Sequence, residues 1–247
     1  MAAPRRRASP ARATSPAASP AASPAGERKR DATRKRLLDR ALALFQRRGV
    51  EATTMRDIAR AAKLSLGAAY YYFPSKEALV FAYYEANQAA LEARVADATG
   101  TPRERLGEVF HEKLRSVQAQ RAMLAAIIGR LADPRDPLSA LSPQQRAVRE
   151  RGIAVVARAL DGAGLPPDVA SLAAHALWML QLASMLLYVY DDSPDQIRTH
   201  GLIDDALDLI VPMLPLLATP IGRTLVDRIT ASLRRAGVGL PLAPPAL

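Results

Sequence analysis

The chain of 247 residues contains no cysteine and only three histidines, and these absences exclude several kinds of site. Without a thiol it forms no disulfide, uses no thiolate nucleophile and binds no metal through sulfur. His111, His175 and His200 lie in separate segments without the spacing of shared metal ligands. His111-Glu112 begins like a zinc-protease helix, but Arg115 stands where the second histidine is required. We therefore expect no metal, no cofactor and no enzymatic activity.

Regular alternation of polar and apolar residues, the mark of a half-buried strand, is also missing from the sequence. Instead, hydroxyl residues precede proline at Thr101-Pro102, Ser142-Pro143, Ser193-Pro194 and Thr219-Pro220. Each pair places a good N-cap before a proline at the first helical position, so each predicts a helix start. The hydrophobic content of 49% is ample for a core. The predicted fold is all-α.

The net charge of +10 is distributed unevenly along the chain. Residues 1–30 hold seven basic residues and one acidic residue, residues 31–84 hold ten and five, and the remainder holds seventeen and eighteen. The excess positive charge therefore lies at the N-terminal end, as expected if only that end meets phosphate groups.

Residues 1–30 are rich in Ala, Pro, Ser and Arg, which predicts a disordered basic tail that buries too little apolar area to fold. No apolar run follows Arg5-Arg6-Arg7, so we do not expect a secretory signal. Two interpretations of the tail stay open: an arm that adds nonspecific phosphate contacts, and a solvated leader without a role.

Residues 54 to 77 predict two short helices joined by a tight turn. Thr54 and Asp57 have the spacing of a capping box at the start of the first helix. Ser65 is placed to cap the second helix, which Pro74 must end, and Ser75 then caps a third. Such a pair is a helix-turn-helix, in which N-terminal residues of the second helix reach base edges in the major groove of DNA.

This segment resembles the DNA-binding domain of the tetracycline-repressor (TetR/AcrR) family of bacterial regulators. The matching residues are Thr54-x-x-x-Ile58-Ala59-x-x-Ala62-x-Leu64-Ser65-x-Gly67-x-x-Tyr70-x-Tyr72-Phe73-x-Ser75-Lys76-Glu77-x-Leu79. The resemblance implies an N-terminal three-helix helix-turn-helix DNA-binding domain at residues 31–84. It implies a larger all-helical ligand-binding and dimerisation domain at residues 85–237, which leaves residues 238–247 as a flexible tail.

The resemblance also implies which side chains meet DNA. Tyr70 and Lys76 match positions that contact phosphates, and Thr54 adds a contact at a helix N-terminus. Arg56 has the reach for a guanine or a phosphate. The predicted DNA-binding residues are Thr54, Arg56, Ser65, Leu66, Gly67, Ala68, Tyr70, Tyr71 and Lys76.

The recognition of bases depends on the first residues of the second helix, which are unusually apolar. Leu66, Ala68 and Ala69 offer mainly contact with thymine methyl groups, while Gly67 lets the backbone approach closely. For Lys63, a solvated surface role and a phosphate contact are both left open.

The helix expected from about Val169 to Tyr190 has almost no polar face, so it must be covered on every side. His175, Gln181 and Ser184 interrupt it and acidic residues flank it, which favours burial against a second subunit over a membrane span. Together with the next helix it would form an isologous four-helix dimer interface, as the resemblance also implies. The predicted interface residues are Leu182, Met185, Leu186, Val189, Leu202, Ala206 and Ile210.

Members of the family usually hold a small molecule among their C-terminal helices, and its binding changes the spacing of the two DNA-binding domains. An apolar and polarisable set suits an apolar effector here, although ordinary core packing explains each residue taken alone. The candidate effector-binding residues are Met123, Ile127, His175, Trp178, Met179 and Tyr188.

The sequence thus predicts a cytoplasmic, nucleoid-associated transcription regulator. Its expected partners are palindromic double-stranded operator DNA, a second copy of itself and a small effector, with no membrane; family analogy favours repression. Two alternatives remain. One is a nonspecific basic DNA-packaging protein, and the other is a ligand-binding module without specific DNA readout.

Overall fold

The computed structural model describes residues 24–235, and within that range it contains ten α-helices, four short 3-10 turns and no strand. The predicted all-α fold is confirmed. The helices are α1 (Pro24–Arg48), α2 (Met55–Ala61), α3 (Leu66–Tyr72), α4 (Lys76–Arg94), α5 (Pro102–Val117), α6 (Arg121–Ala132), α7 (Arg146–Ala159), α8 (Pro167–Tyr190), α9 (Ile197–Met213) and α10 (Pro220–Arg235). The predictions for residues 1–23 and for the C-terminal tail at 238–247 lie outside the described residues.

The first three helices form a small N-terminal unit around aromatic and aliphatic side chains. On α1, the buried residues Leu37, Ala41 and Phe45 repeat at the spacing that puts them on one face of a helix. Ile58 of α2 and Phe73 after α3 close the same core. Helix α4 packs on α1 and then runs on to pack against α5 and α7, so it connects this unit to the C-terminal helices.

Helix α1 begins at Pro24, earlier than the expected boundary at residue 31. Asp31, the first residue of the predicted domain, therefore lies inside α1 and does not cap its start. Proline is tolerated in a first helical turn, and Glu27 in that turn suits the positive end of the helix dipole. The Arg, Lys and Ala residues that follow are good helix formers, which explains why the helix extends into the basic segment.

The turn between α2 and α3 forms a Schellman motif with an unusual residue at its centre. The N–H of Lys63 donates to the carbonyl of Arg60 (3.1 Å), and the N–H of Leu64 donates to that of Ala59 (2.9 Å). Lys63 takes the left-handed conformation with φ of 55°. A Cβ atom makes that conformation unfavourable, which is why glycine usually occupies it.

Two of the four hydroxyl-proline pairs start α-helices directly. Thr101 caps α5, where Glu104 completes a capping box, and Pro220 begins α10. The pairs at Ser142 and Ser193 instead begin 3-10 turns, Pro143–Gln145 and Pro194–Gln196, and α7 and α9 follow them. The sequence pattern thus locates the end of each loop but not the type of helix that follows.

Helix α8 lies at the centre of the C-terminal helices and packs against α5, α6, α7 and α9. Its contact with α7 is close at Gly152, where an added Cβ would lie 2.8 Å from Nε1 of Trp178. A larger residue at position 152 would therefore push these two helices apart.

A polar cluster joins α5 to α9. Nδ1 of His111 lies 2.7 Å from Nδ1 of His200, and Nε2 of His111 lies 3.1 Å from the Asp204 carboxylate. Arg103 binds the same carboxylate (3.1 Å) and that of Asp208 (2.7 Å). Burial lowers the pKa of His200, and the neighbouring His111 lowers it further. One ring must donate to the other, so the hydrogen bond survives only while at least one imidazole is neutral.

The lowered pKa of His200 predicts a pH-dependent stability. The native state binds this proton less readily than the unfolded chain, so the stabilisation is present above about pH 6.5 and is lost as the pH falls through the folded-state pKa. We expect the free energy of unfolding to fall by up to about 1.4 kcal/mol per pH unit in that window. Denaturant titrations at a series of pH values measure it. In the His200→Asn variant, the free energy of unfolding should no longer fall with pH in this window. An unchanged pH dependence would contradict its assignment to His200.

The strained turn gives a second prediction. Lys63→Gly should raise the free energy of unfolding by about 1 kcal/mol, because glycine adopts the left-handed conformation without a Cβ clash. Lys63→Ala removes the same charge but keeps the Cβ atom, and it should give no such gain. Thermal or urea denaturation compares the two variants. Equal stabilisation by alanine would show that the charge, and not the backbone, is responsible.

Candidate nucleic-acid interface

Side-chain hydrogen bonds cap the N-termini of α2 and α3. The Asp57 N–H donates to Oγ1 of Thr54 (3.2 Å), while the Thr54 N–H donates to the Asp57 carboxylate (3.1 Å), which completes the predicted capping box. The Thr54 hydroxyl also donates to that carboxylate, and this hydrogen bond lowers the pKa of Asp57. Ser65 Oγ accepts from the Ala68 N–H (3.1 Å), as expected. The start of α3 is therefore fixed before any partner arrives.

Helix α3 buries one side and exposes the other. Ala69 is completely buried against α2, so its predicted contact with thymine methyl groups is wrong: the small side chain lets the two helices pack closely. On the outer side, Tyr70 is 48% exposed and Tyr71 is 70% exposed. Leu66 and Ala68 are half-buried and Gly67 is exposed. None of the nine predicted DNA-binding residues is buried.

Lys76 has a structural contact that the sequence did not indicate. Its Nζ donates to the carbonyls of Val50 (2.8 Å) and Glu51 (3.3 Å), in the loop between α1 and α2. The lysine at the start of α4 thus holds the loop that leads to the capping box at Thr54. Its contact with a phosphate remains a prediction.

Two arginines of α1 lie beside α3 and were missed. Cζ of Arg34 lies 4.8 Å from the centroid of the Phe73 ring, and Cζ of Arg30 lies 5.8 Å from that of Tyr71. Both distances fall in the range of cation–π contacts. Their spacing in the sequence could have identified them. Arg34 lies three residues before Leu37, and Arg30 lies four residues before Arg34, so both continue the helix face that Leu37 occupies.

A charge cluster connects this unit to α6. Arg130 binds Glu51 (2.8 Å) in the loop between α1 and α2 and Asp136 (2.8 Å) after α6, and it lies 3.8 Å from Glu77 of α4. Glu51, Glu77 and Arg130 are far apart in sequence, so no local pattern indicated that they meet. The cluster links α6 to the loop before α2.

The candidate effector residues are divided between the core and the outer face of α8. Met123, Ile127, Trp178 and Tyr188 are buried in the core, whereas Met179 is 47% exposed on the outer face of α8. His175 bonds through Nδ1 to the carbonyl of Ser171 one turn earlier. Two clefts in the described part of the chain, of about 280 and 600 Å³, are lined by none of the six candidates. We therefore no longer count Met179 among the candidate effector-binding residues, because it lies on the exposed side of α8.

Three polar groups on α4 and α5 have few partners. The hydroxyls of Tyr83 and Tyr84 are buried with no hydrogen-bond partner among the described residues, and burial raises the pKa of both. Lys113 donates to Oδ1 of Asn87 (3.2 Å), and burial lowers its pKa to about 8. These groups were not among the sequence candidates, because lysine and tyrosine are usually read as surface residues.

The larger cleft lies on an apolar face formed by α6, α8 and α9. Its lining includes Leu186, Leu187, Tyr190 and Leu202. Of the predicted dimer residues, Leu186 and Leu202 are exposed, and Leu182, Met185, Ala206 and Ile210 are half-buried. The prediction that Val189 lies in the dimer interface is wrong, because this residue is buried in the core of its own chain and offers little surface to a partner.

Helix α8 is the single unbroken helix of the described residues that is long and apolar enough to cross a membrane. Half of its most apolar window is nevertheless buried inside the protein, as in the core helix of a folded domain. No group of three or more potential metal ligands occurs in the described part of the chain.

Sequence comparisons agree with the helix-turn-helix geometry. The family described as bacterial regulatory proteins, tetR family, matches residues 37–83. The transcriptional repressor KstR2 of Mycobacterium tuberculosis is 35% identical over 97 residues, which are 38% of this chain and 48% of that protein, so the match spans about half of that relative. An HTH-type transcriptional regulator of the same organism is 30% identical over 174 residues, 68% of this chain and 82% of that protein.

Solved structures show the same fold. GusR of Salmonella enterica is 22% identical, with a TM-score of 0.58 over 74% of this chain and 95% of that one. A tetR-family transcriptional regulator of Streptomyces coelicolor is also 22% identical, with a TM-score of 0.58 over 81% and 89%. At this identity the likeness concerns the fold alone.

The contacts of Lys76 predict a loss of stability when its charge is removed. Lys76→Met should lower the free energy of unfolding by about 1–2 kcal/mol, because two loop carbonyls lose a charged donor. Chemical denaturation measures the change. Lys63→Met removes a lysine that is exposed on the same unit, and it should be nearly neutral. If both variants behave alike, the loop contacts of Lys76 contribute nothing measurable.

Proposed function

The chain belongs to the tetR family of bacterial regulatory proteins, and from this premise we propose that it represses transcription as a homodimer bound to palindromic operator DNA. Members of the family are DNA-binding regulators and not enzymes. The observation that carries the proposal is the capped α2–turn–α3 unit, in which no predicted DNA-binding residue is buried. We assign residues 24–84 to the DNA-binding domain and residues 85–235 to the domain for ligand binding and dimerisation.

DNA recognition in this proposal uses the exposed side of α3. The half-exposed Leu66 and Ala68 would meet thymine methyl groups, and Arg56 of α2 would bind a guanine or a phosphate. Tyr70, Tyr71 and the hydroxyl of Ser65 would bind the backbone, with the start of α3 directed at the groove. An apolar reading surface favours operators rich in A·T pairs at the centre of each half-site.

The dimer in this proposal forms through the exposed apolar face of α8 and α9. Met179, Leu186 and Tyr190 of α8 and Leu202 of α9 are exposed, and large apolar side chains that share one face are typical of a protein interface. We retain Leu182, Met185, Leu186, Leu202, Ala206 and Ile210 and add Met179 and Tyr190. A twofold interface carries two reading helices, which supports a palindromic operator.

Release from DNA would follow the binding of a small molecule that opens a site between α4, α5, α6 and α8, because the buried candidates line neither of the two clefts described above. Met123, Ile127, Trp178 and Tyr188 would contact its apolar body, and Lys113 would donate to a polar atom on it. Because α6 carries both Met123 and Arg130, a ligand that displaces α6 would also pull Glu51. The ligand would shift the population toward a spacing of the two reading helices that no longer fits the operator.

Repression is favoured over activation because the relatives KstR2 and KstR are named transcriptional repressors. Like other regulators of this family, the protein would act in the cytoplasm, where the chromosome lies. The packaging and ligand-module alternatives are separated from this proposal by the selectivity of DNA binding.

Selection from a randomised duplex library at near-physiological salt tests the proposal. We expect enrichment of a palindrome with a specificity ratio of ~10³ or more over random DNA. Arg56→Ala should weaken operator binding by about 1–3 kcal/mol or relax the preference at one position of each half-site. Arg36→Ala removes an exposed arginine of α1 and should select the wild-type motif.

Two other outcomes would contradict the proposal. Binding that depends on salt but enriches no sequence would support the packaging alternative. The absence of DNA binding by the folded protein would support a ligand-binding module.

A further inference from the structure

We propose that the N-terminal extension of α1 is a second DNA-backbone contact, in which Arg30 and Arg34 bind phosphates beside the recognition helix α3. This inference rests on the proposed function, because it assigns new contacts to the same complex. The family match begins at residue 37, whereas α1 begins at Pro24, so the residues that carry the inference precede the matched region.

The phase of α1 places these two arginines on the side of α3. Leu37, Ala41 and Phe45 form the buried stripe of α1. Steps of three and four residues toward the N-terminus along the same stripe reach Arg34 and then Arg30. A helix rises 1.5 Å per residue, so Arg30 lies roughly 10 Å beyond Leu37 along the axis. The stripe therefore continues past the end of the core as a basic edge.

Contacts with α3 and its end hold both guanidinium groups at this edge. Cζ of Arg34 lies over the ring of Phe73, and Cζ of Arg30 lies over the ring of Tyr71, which is 70% exposed. A cation–π contact engages no hydrogen-bond acceptor, so the guanidinium N–H groups stay available to donate. Tyr71 follows Tyr70, a predicted phosphate contact, so the free N–H groups lie close to the expected DNA backbone.

Neither arginine has an acidic partner in the described part of the chain. The ion pairs there engage Arg94, Arg103 and Arg130, among others, but none includes Arg30 or Arg34. An ordered guanidinium without a carboxylate partner is well suited to bidentate binding of a phosphate. Two such groups spaced one helical turn apart suit successive phosphates of one strand, and not the edges of bases.

The salt dependence of operator binding tests the inference. We compare the wild type with the double variant Arg30→Gln/Arg34→Gln, using the operator obtained by selection. Each phosphate contact that is lost should reduce the slope of log K against log[salt] by about 0.9, so four contacts in a dimer should reduce it by about 3.6. The selected base sequence should not change, because backbone contacts carry no sequence information.

Two further variants serve as controls. Arg36→Gln removes an exposed arginine that lies about 200° around α1 from Arg34, and it should leave the slope unchanged. Arg30→Lys/Arg34→Lys keeps both charges, and it should restore most of the slope. Thermal denaturation of each variant checks that the fold is retained, as expected for exposed side chains.

Three results would overturn the inference. Weaker binding with an unchanged slope would mean that the arginines only position Tyr71 and Phe73. An equal loss of slope in Arg36→Gln would mean that overall charge, and not the basic edge, is responsible. Unchanged affinity and slope in the double variant would exclude the contact. If the wild type selects no operator, the proposed function fails by itself, while salt titrations on a random duplex still decide the role of the arginines.

Discussion

The packing of the C-terminal helices depends on the burial of α8. This helix has almost no polar face, so contact with water is unfavourable on most of its surface. Helices α5, α6, α7 and α9 pack on it, and the contact at Gly152 and Trp178 brings α7 especially close. Its outer face, with Met179 and Leu186, stays exposed in the single chain. The requirement to cover this helix therefore organises the C-terminal core and leaves one apolar face exposed.

Helix α6 lies between that core and the DNA-binding unit, with an arginine at each end. Arg121 donates to the carbonyls of Tyr188 and Val189 (3.0 and 3.1 Å) and also to that of Asp191, so it holds the C-terminal end of α8. At the other end, Arg130 binds Glu51 in the loop before α2. Helix α6 thus contacts both the C-terminal end of α8 and the loop before the helix-turn-helix.

Local signals in the sequence were sufficient where the structure is local. The capping box of Thr54 and Asp57, the cap at Ser65 and the end of α3 before Pro74 depend on residues three or four positions apart. The start of α1 and the side taken by Ala69 were mispredicted. The first depends on the propensity of a basic segment that composition alone described as disordered, and the second on how closely α2 and α3 pack.

The sequence by itself determined the all-α fold, the helix-turn-helix and the basic N-terminal end, because periodicity, capping and charge are properties of neighbouring residues. Only the tertiary structure decided that Lys76 holds the loop at Val50, that Arg130 joins Glu51 to α6, that Val189 faces inward and that Arg30 lies over Tyr71. Each of these contacts joins residues distant in sequence or depends on the packing of neighbouring helices. Such contacts are set by the packing of whole helices: spacing along α1 shows which face carries Arg30, but not which ring that face meets.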